Sequence, residues 1–178
     1  MINILLVDDH ELVRSGVSRI LNEVKGFKVI HECETGEQAI AFCRQTEPSV
    51  ILMDMDMPGM GGLEATKKIL RFAPEAKVII LTAHTEDPFP TKVMQIGAAG
   101  YLTKGTAPHE MVNAIKAVNS GQRYLPAEIA QKMALNQFTQ HFNIKQLIIF
   151  KAHQFKAFMG HTMVAVLHKQ LTMLNTSF

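Results

Sequence analysis

Residues 50–62, Val-Ile-Leu-Met-Asp-Met-Asp-Met-Pro-Gly-Met-Gly-Gly, decide the fold. Their first four residues form an apolar run with the length and composition of a β-strand. Asp54 follows the run directly, and residues 57–62 supply the proline and glycines of a tight turn. The stretch therefore predicts a strand that presents a carboxylate at its carboxyl end, followed by a turn into a helix.

Apolar runs of the same kind recur on both sides of this stretch, at Ile2–Val7, Phe27–His31, Val78–Leu81 and Gly100–Leu102. The segments between them have apolar positions at the 3.6-residue period of amphipathic helices, namely Val13, Val17, Ile20 and Val24, then Leu63, Thr66 and Leu70, then Met111, Ile115 and Val118. Thr35 and Gln38 predict a capping box for a helix over 36–45. Because parallel strands need a crossover that can hold a helix, the alternation predicts an α/β fold. We expect an open, doubly wound sheet of five parallel strands within residues 1–120.

The composition changes towards the C-terminus. The chain has 178 residues, 47% of them hydrophobic, which is enough for one well-packed domain and an appendage. Residues 1–128 hold 13 Lys or Arg against 16 Asp or Glu, whereas residues 129–178 hold five Lys and no acid. We expect a linker with a short helix over 121–138 and a basic, helical tail over 139–178. In the tail, the residues near helical spacing are Phe155, Met159, Met163, Val166 and Leu174.

Three features of the sequence indicate where in the cell the protein is located. No apolar run reaches the roughly 18 residues that a membrane span requires. The N-terminus lacks the basic start, apolar run and cleavage site of a signal peptide. Cys33 and Cys43 are expected to be reduced thiols. These features predict a soluble, cytoplasmic protein without a membrane partner.

Polar residues follow the predicted strands where each of them ends. Asp8 and Asp9 follow the first strand, Asp54 the third, Thr82 the fourth and Lys104 the fifth. Ligands bind beyond the carboxyl ends of strands in open parallel sheets. The three carboxylates together predict a site for Mg²⁺, and Asp54 is the candidate nucleophile towards phosphorus.

The remaining polar groups at this edge predict a switch. Lys104 would place a positive charge on a phosphoryl oxygen, and the Thr82 hydroxyl would donate a hydrogen bond to another. Movement of Thr82 would make space into which Tyr101 rotates, so that phosphorylation biases two packings.

Each of these residues also has a simpler interpretation. Asp8 and Asp9 would favour the N-terminus of the first helix without any metal. Lys104 would be a solvated loop lysine, and Tyr101 would pack on the sheet edge. His10 and the tail histidines His141, His153, His161 and His168 lack the spacing of metal ligands, so no zinc site is predicted.

Four motifs resemble those of the receiver domains of bacterial response regulators: Val-Asp-Asp-His at 7–10, residues 54–62, Leu-Thr-Ala at 81–83, and Ala-Ala-Gly-Tyr-Leu-Thr-Lys-Gly at 98–105. The resemblance covers residues 1–135 and implies a flavodoxin-like (βα)5 fold with strand order 2-1-3-4-5. Three shorter segments, 84–90, 120–124 and 129–134, resemble more narrowly the GacA/UvrY branch of the NarL/FixJ class. Asp54-Met-Asp56 alone is also similar to the nucleophile motif of haloacid-dehalogenase-type phosphatases, whose nucleophile ends the first strand rather than the third.

The resemblance to receivers implies roles for individual residues. Asp54 would accept a phosphoryl group from the histidine of a hybrid-type sensor kinase. Asp9, Asp54 and the backbone carbonyl of Asp56 would surround Mg²⁺, with Asp8 in support. A homodimer on phosphorylation, and no catalysis beyond the chain's own phosphorylation and dephosphorylation, are further implications.

The family branch also implies a DNA-binding helix-turn-helix of about sixty residues after the receiver. We identify no DNA-binding residues, because the forty residues 139–178 contain no Arg and no acid. We therefore expect no direct operator recognition by this chain, and a changed reading frame or gene from about residue 139. The tail would be an appendage with a solvated basic face, or would contact nucleic acid or a membrane surface.

Two functions follow from this sequence. The first is a phosphorylation-controlled regulator of transcription whose DNA-binding module is missing or replaced. The second is a stand-alone receiver that acts by protein contact or as a phosphate sink.

Overall fold

The structure is a computed structural model that describes residues 1–84 and 88–136. The chain divides into two compact units, Met1–Met133 and Ala134–Phe178. The predictions made for the tail, 139–178, lie outside the described residues. The predicted division into domain, linker and tail stays a prediction.

Five strands form one parallel sheet in the order β2-β1-β3-β4-β5. The strands are β1 (Ile2–Val7), β2 (Phe27–Cys33), β3 (Val50–Asp54), β4 (Val78–Thr82) and β5 (Gly100–Thr103). The helices between and after them are α1 (Glu11–Asn22), α2 (Gly36–Cys43), α3 (Gly62–Phe72), α4 (Phe89–Gln95) and α5 (Pro108–Asn119). The predicted doubly wound fold and its strand order are confirmed.

The sheet separates two apolar layers. Neighbouring residues of β1 point to opposite faces, so that Leu5 and Val7 belong to one buried cluster and Ile4 and Leu6 to the other. Helices α2, α3 and α4 cover the first face, and α1 and α5 cover the second. Covering helices on both faces leave the carboxyl ends of the strands as the edge at which a site can form.

Helix α2 begins as the sequence predicts. The Thr35 hydroxyl accepts a hydrogen bond from Gln38 N at 3.2 Å, and the Gln38 side chain accepts one from Glu34 N at 2.8 Å. A Cβ on Gly36 would lie 2.7 Å from the Met60 carbonyl oxygen, so glycine allows α2 to approach the turn before α3.

The predicted apolar face of α1 is only partly correct. Val17 and Val24 pack against the second cluster, but Ile20 is exposed, and the buried positions are Arg14, Ser18 and Leu21. Two of these are polar, and they are buried because Glu32 and Glu34 supply hydrogen-bonding partners. A search for apolar periodicity therefore could not find them.

The chain continues to pack after α5. Tyr101 N donates to Tyr124 O at 3.0 Å, and Tyr124 N donates to Ala99 O at 2.9 Å, so this segment pairs with the edge strand β5. Residues 127–136 are helical, and the buried Ile129 belongs to the first apolar cluster. The first compact unit thus includes residues beyond 120. No helix in the described ranges is long and apolar enough to cross a membrane.

Candidate phosphoacceptor and metal site

Asp54 is the last residue of β3 and is fully buried. The turn behind it is held by a hydrogen bond from Gly62 N to Met55 O at 2.9 Å. A Cβ on Gly62 would lie only 1.9 Å from the carbonyl oxygen of Asp54, so no other residue fits there without movement of the backbone. Gly59 has a φ of 74°, which also favours glycine. The glycines of the opening motif therefore fix the position of the carboxylate.

Lys104 lies between two carboxylates. Its ammonium donates to Asp54 Oδ2 at 2.8 Å and lies 3.1 Å from Asp8 Oδ2. The residue follows β5, and its backbone N–H donates to Thr82 O at 2.8 Å, which fixes its place beside β4. The simpler interpretation of Lys104 as a solvated loop lysine is therefore wrong.

Asp8, Asp9, His10 and Asp54 form a cluster in which one potential ligand atom from each residue lies within 4.8 Å of the others. Asp8 Oδ2 and Asp9 Oδ1 are buried and accept no hydrogen bond from the described residues, although Lys104 lies beside the first and His10 Nδ1 lies 2.9 Å from the second. Buried carboxylate oxygens without hydrogen bonds are suited to a hard cation. These residues fit a divalent ion such as Mg²⁺.

The simpler role of the acidic pair, as caps of α1, receives limited support. The N-cap of α1 is His10, and no side chain of the described residues bonds to the free amides of the first turn. Asp8 Oδ1 does accept a hydrogen bond from His10 N at 2.8 Å, which shapes the loop before the helix. One oxygen of Asp8 therefore has a local structural role, and the other faces Lys104.

Burial dominates the electrostatics of the site. Desolvation raises the pKa of Asp54, the hydrogen bond from Lys104 lowers it, and the charge of Asp8 raises it further. Desolvation alone would lower the pKa of Lys104, but its hydrogen bond to Asp54 and the adjacent carboxylate of Asp8 outweigh this and raise the pKa. One ammonium does not balance three neighbouring carboxylates, so the site retains an attraction for a further cation.

Thr82 and Tyr101 are both fully buried and contact the same residue, His84. Thr82 Oγ1 accepts a hydrogen bond from His84 N at 3.0 Å, and the Tyr101 hydroxyl donates to the His84 carbonyl oxygen. Tyr101 belongs to the first apolar cluster. The structure therefore connects the two predicted switch residues through one backbone segment.

His84 is the residue that sequence reasoning missed. Its Nε2 lies 3.2 Å from Asp56 Oδ2, and its ring stacks on Phe89, the first residue of α4, with centroids 4.3 Å apart. The only sequence signal was its place in the segment 84–90, because a single histidine in a loop has no periodicity or ligand spacing. His10 was missed as a neighbour of the acidic cluster for the same reason.

Asp56 points its carboxylate away from the buried cluster. The side chain is 57% exposed and faces His84, while Asp56 N donates to Asp54 Oδ1 at 3.3 Å. The backbone N–H thereby orients the oxygen of Asp54 that Lys104 does not contact. Participation of the Asp56 carbonyl in metal binding stays a prediction.

Comparisons with known proteins find similar sequences. The family model for the response regulator receiver domain matches residues 4–116 of this sequence. The chain is 61% identical over 137 residues to the response regulator UvrY of Escherichia coli K12, covering 77% of this chain and 63% of UvrY. It is 51% identical over 138 residues to the response regulator GacA of Pseudomonas aeruginosa PAO1, covering 78% of this chain and 64% of GacA.

The fold has similar solved structures. A LuxR-family two-component response regulator from Aurantimonas sp. SI85-9A1 superposes with a TM-score of 0.73 at 38% identity, over 76% of this chain and 97% of that one. The chain spans somewhat under two thirds of the length of its curated relatives. The receiver match alone covers more than half of the chain, so the chain belongs to the response regulator receiver domain family of two-component signalling.

Proposed function

We propose that Asp54 accepts a phosphoryl group and that this modification switches the receiver. The observation that carries the proposal is the fully buried Asp54 carboxylate, 2.8 Å from the Lys104 ammonium and beside two further carboxylates. An Asp54 oxygen attacks phosphorus of a phosphohistidine and forms a P–O bond while the P–N bond breaks. The histidine nitrogen retains the electron pair of that bond and is protonated.

The protein contributes position and charge to this transfer. Lys104 would stabilise a negatively charged phosphoryl oxygen, and Asp56 N–H orients Asp54. Asp9, Asp54 and the Asp56 carbonyl would hold Mg²⁺, with Asp8 in support, and the ion would neutralise charge on the phosphoryl oxygens. No catalysis on other molecules is proposed.

The switch would proceed through His84. A phosphoryl group on Asp54 accepts a hydrogen bond from the Thr82 hydroxyl, which requires Thr82 to move relative to its present contact with His84 N. The Tyr101 hydroxyl bonds to the carbonyl of the same residue, so movement of His84 alters the position of Tyr101. The ring of His84 also contacts Phe89, which extends the change to α4.

The partners follow from the family. A sensor histidine kinase of hybrid type would donate the phosphoryl group to this chain, which we place in the cytoplasm, and phosphorylation would favour a homodimer. We propose that the response regulator controls transcription, as a member of the UvrY/GacA branch. A second candidate is a receiver that acts by protein contact or as a phosphate sink, which the absence of Arg and acids from residues 139–178 supports.

Incubation with acetyl phosphate and Mg²⁺, followed by intact-mass measurement, tests the proposal. The parent chain should gain one phosphoryl group, and Asp54→Asn should gain none. Lys104→Ala should still be labelled in part but should lose the change in solution size. Equal labelling of parent and Asp54→Asn would contradict the assignment.

Two further measurements separate the alternatives. Titration of the phosphorylated chain against operator DNA distinguishes direct control of transcription from action by protein contact. Turnover of phosphomonoesters by the parent would instead favour the phosphatase interpretation of the Asp54-Met-Asp56 motif.

A further inference from the structure

Arg14 is a buried charged residue that the proposed chemistry does not use. It lies in the first half of α1, and its side chain is only 10% exposed. A buried guanidinium requires partners for its hydrogen bonds and its charge, since desolvation without them is costly. The partners of Arg14 therefore indicate what the residue holds in place.

One partner belongs to the loop of the candidate metal site. Arg14 Nη1 donates to the backbone carbonyl oxygen of Asp8 at 2.7 Å in a buried, charge-assisted hydrogen bond. That carbonyl belongs to the peptide group that joins Asp8 to Asp9. Fixing its direction fixes the plane of this peptide group, from which the two acidic side chains diverge.

The other partners belong to the edge strand β2 and the residue after it. Arg14 Nη2 donates to Glu34 Oε1 at 3.0 Å, and Nε lies 3.4 Å from Glu32 Oε2. Glu32 is also held by the Ser18 hydroxyl, at 2.6 Å. Two carboxylates thus balance the guanidinium, and Arg14 adds no uncompensated positive charge beside the site that would repel a cation.

Asp8 N completes this arrangement with a hydrogen bond to Cys33 O at 3.1 Å, so both backbone groups of Asp8 are anchored. The planar fork of an arginine can reach the Asp8 carbonyl and Glu34 at the same time, whereas a lysine ammonium is a single point charge on a flexible stem. The contact to Asp8 depends on this geometry as well as on charge.

We infer that Arg14 is a positioning residue for the metal site, and that it orients Asp8 and Asp9 for cation binding through the Asp8 carbonyl. This role rests on the proposed function of the acidic cluster as a Mg²⁺ site. Loss of a group that orients metal ligands typically weakens metal affinity by about 10- to 100-fold. Removal of a positive charge near a cation site would act in the opposite direction, which makes the effect distinguishable from simple electrostatics.

The test measures the affinity of the unphosphorylated full chain for Mg²⁺ by titration calorimetry. Arg14→Ala should raise the Kd for Mg²⁺ by about 10-fold, and Arg14→Lys should raise it by a smaller factor, although its charge is unchanged. Arg19→Ala is the matched control, because Arg19 lies on the same helix, is 84% exposed and contacts Glu23. Its Kd should equal that of the parent.

A second readout separates positioning from loss of folding. The rate of acetyl phosphate labelling in Arg14→Ala should return to within about two-fold of the parent at saturating Mg²⁺, since the reacting groups are intact. Should Arg14→Ala fail to fold, Arg14→Lys decides the question. A folded Arg14→Lys that binds Mg²⁺ as tightly as the parent would overturn the role of Arg14. Absence of Mg²⁺ binding by the parent itself would overturn the metal site and, with it, this inference.

Discussion

At the scale of single residues, Asp54 lies where ionisation of its carboxyl group is energetically unfavourable. It is fully buried, Asp8 lies nearby, and the one close ammonium is shared between them. Such an arrangement favours reaction and metal binding over stability, because a like charge and desolvation both disfavour the ionised form. The sequence predicted which residues lie at the strand ends. Only the folded structure shows that Lys104 lies between Asp54 and Asp8.

Asp54→Asn should stabilise the metal-free receiver at neutral pH. The pKa of Asp54 is raised in the folded state, chiefly by burial, so its contribution to stability is present below the unfolded-state pKa and is lost as the pH rises through the folded-state value. Removing the charge avoids that loss, and Lys104 keeps Asp8 as a partner. Thermal unfolding in chelator should show a Tm higher by a few degrees.

The same two proteins provide a control when Mg²⁺ is added. The Tm of the parent should rise with increasing Mg²⁺, whereas that of Asp54→Asn should rise less because the variant lacks a proposed ligand. A lower Tm for Asp54→Asn in chelator would show that the Asp54 carboxylate stabilises the fold.

Gly62→Ala should be strongly destabilising, by about 3 kcal/mol, because the new Cβ would meet the carbonyl oxygen of Asp54. Urea denaturation measures the change in the free energy of unfolding. Gly16→Ala is the control, since Gly16 lies in α1 with no heavy atom within 4 Å of the added Cβ. It should stabilise the protein by roughly 0.5–1 kcal/mol through helix propensity. If Gly62→Ala left the free energy of unfolding unchanged, the turn before α3 would have to shift freely.

At the scale of the elements, residue patterns predicted all five strands and four of the helices, whereas α4 was implied only by the alternation of strands and helices. Apolar runs of three to six residues and the 3.6-residue period reflect burial directly, which explains why these predictions succeeded. The polar positions of α1 were not predicted, because Arg14 and Ser18 are buried through partners on β2 or just after it, 20 and 14 residues away in the chain. Hydrogen bonds between distant residues have no local signature.

Within the site, too, some residues were predictable from the sequence and others were not. Asp8, Asp9, Asp54, Thr82 and Lys104 each end or follow a strand, so the topology of a parallel sheet was sufficient to bring them together. His84 lies in the loop after β4, and its contacts to Asp56, Thr82, Tyr101 and Phe89 depend on the path of that loop. Sequence patterns specify the ends of elements better than the paths of loops.

The cysteines of β2 and α2 should be unreactive in the folded protein. Burial raises the pKa of both thiols to about 11, with a small opposing effect of Arg14 on Cys33 and a further increase from Cys33 on Cys43. The thiolate is the reactive form, so little of it exists at neutral pH. Iodoacetamide labelling at pH 8, followed by mass spectrometry, should be slow for the native chain and rapid for both cysteines in urea. Rapid native labelling would show that these elements open readily.

At the scale of the whole molecule, the receiver unit extends past α5. Backbone hydrogen bonds join Tyr124 to β5, and Ile129 enters the apolar layer that also contains Tyr101. Ile129, in the helix that follows this segment, therefore packs on the same side of the sheet as α4. The strand and helix pattern of the sequence ends near residue 120, and the contacts beyond it have no sequence signal because they involve only a few residues.

Shortening the chain should reveal this extension. Residues 1–136 should unfold cooperatively, whereas residues 1–120 should be less stable by roughly 3 kcal/mol, since they lack the burial of Ile129 and the pairing of Tyr124. Urea denaturation of the two proteins gives the difference. Equal stabilities would mean that residues 121–136 contribute nothing to the receiver unit.

We propose above that the phosphoryl group is attached to Asp54 as an acyl phosphate. Borohydride reduces an aspartyl phosphate to homoserine, so peptide mass spectrometry of the chain after treatment with acetyl phosphate, Mg²⁺ and borohydride identifies the modified residue. We predict homoserine at position 54, and none when acetyl phosphate or Mg²⁺ is omitted. Homoserine at Asp8, Asp9 or Asp56, or a phosphate that survives on a histidine or hydroxyl, would contradict it.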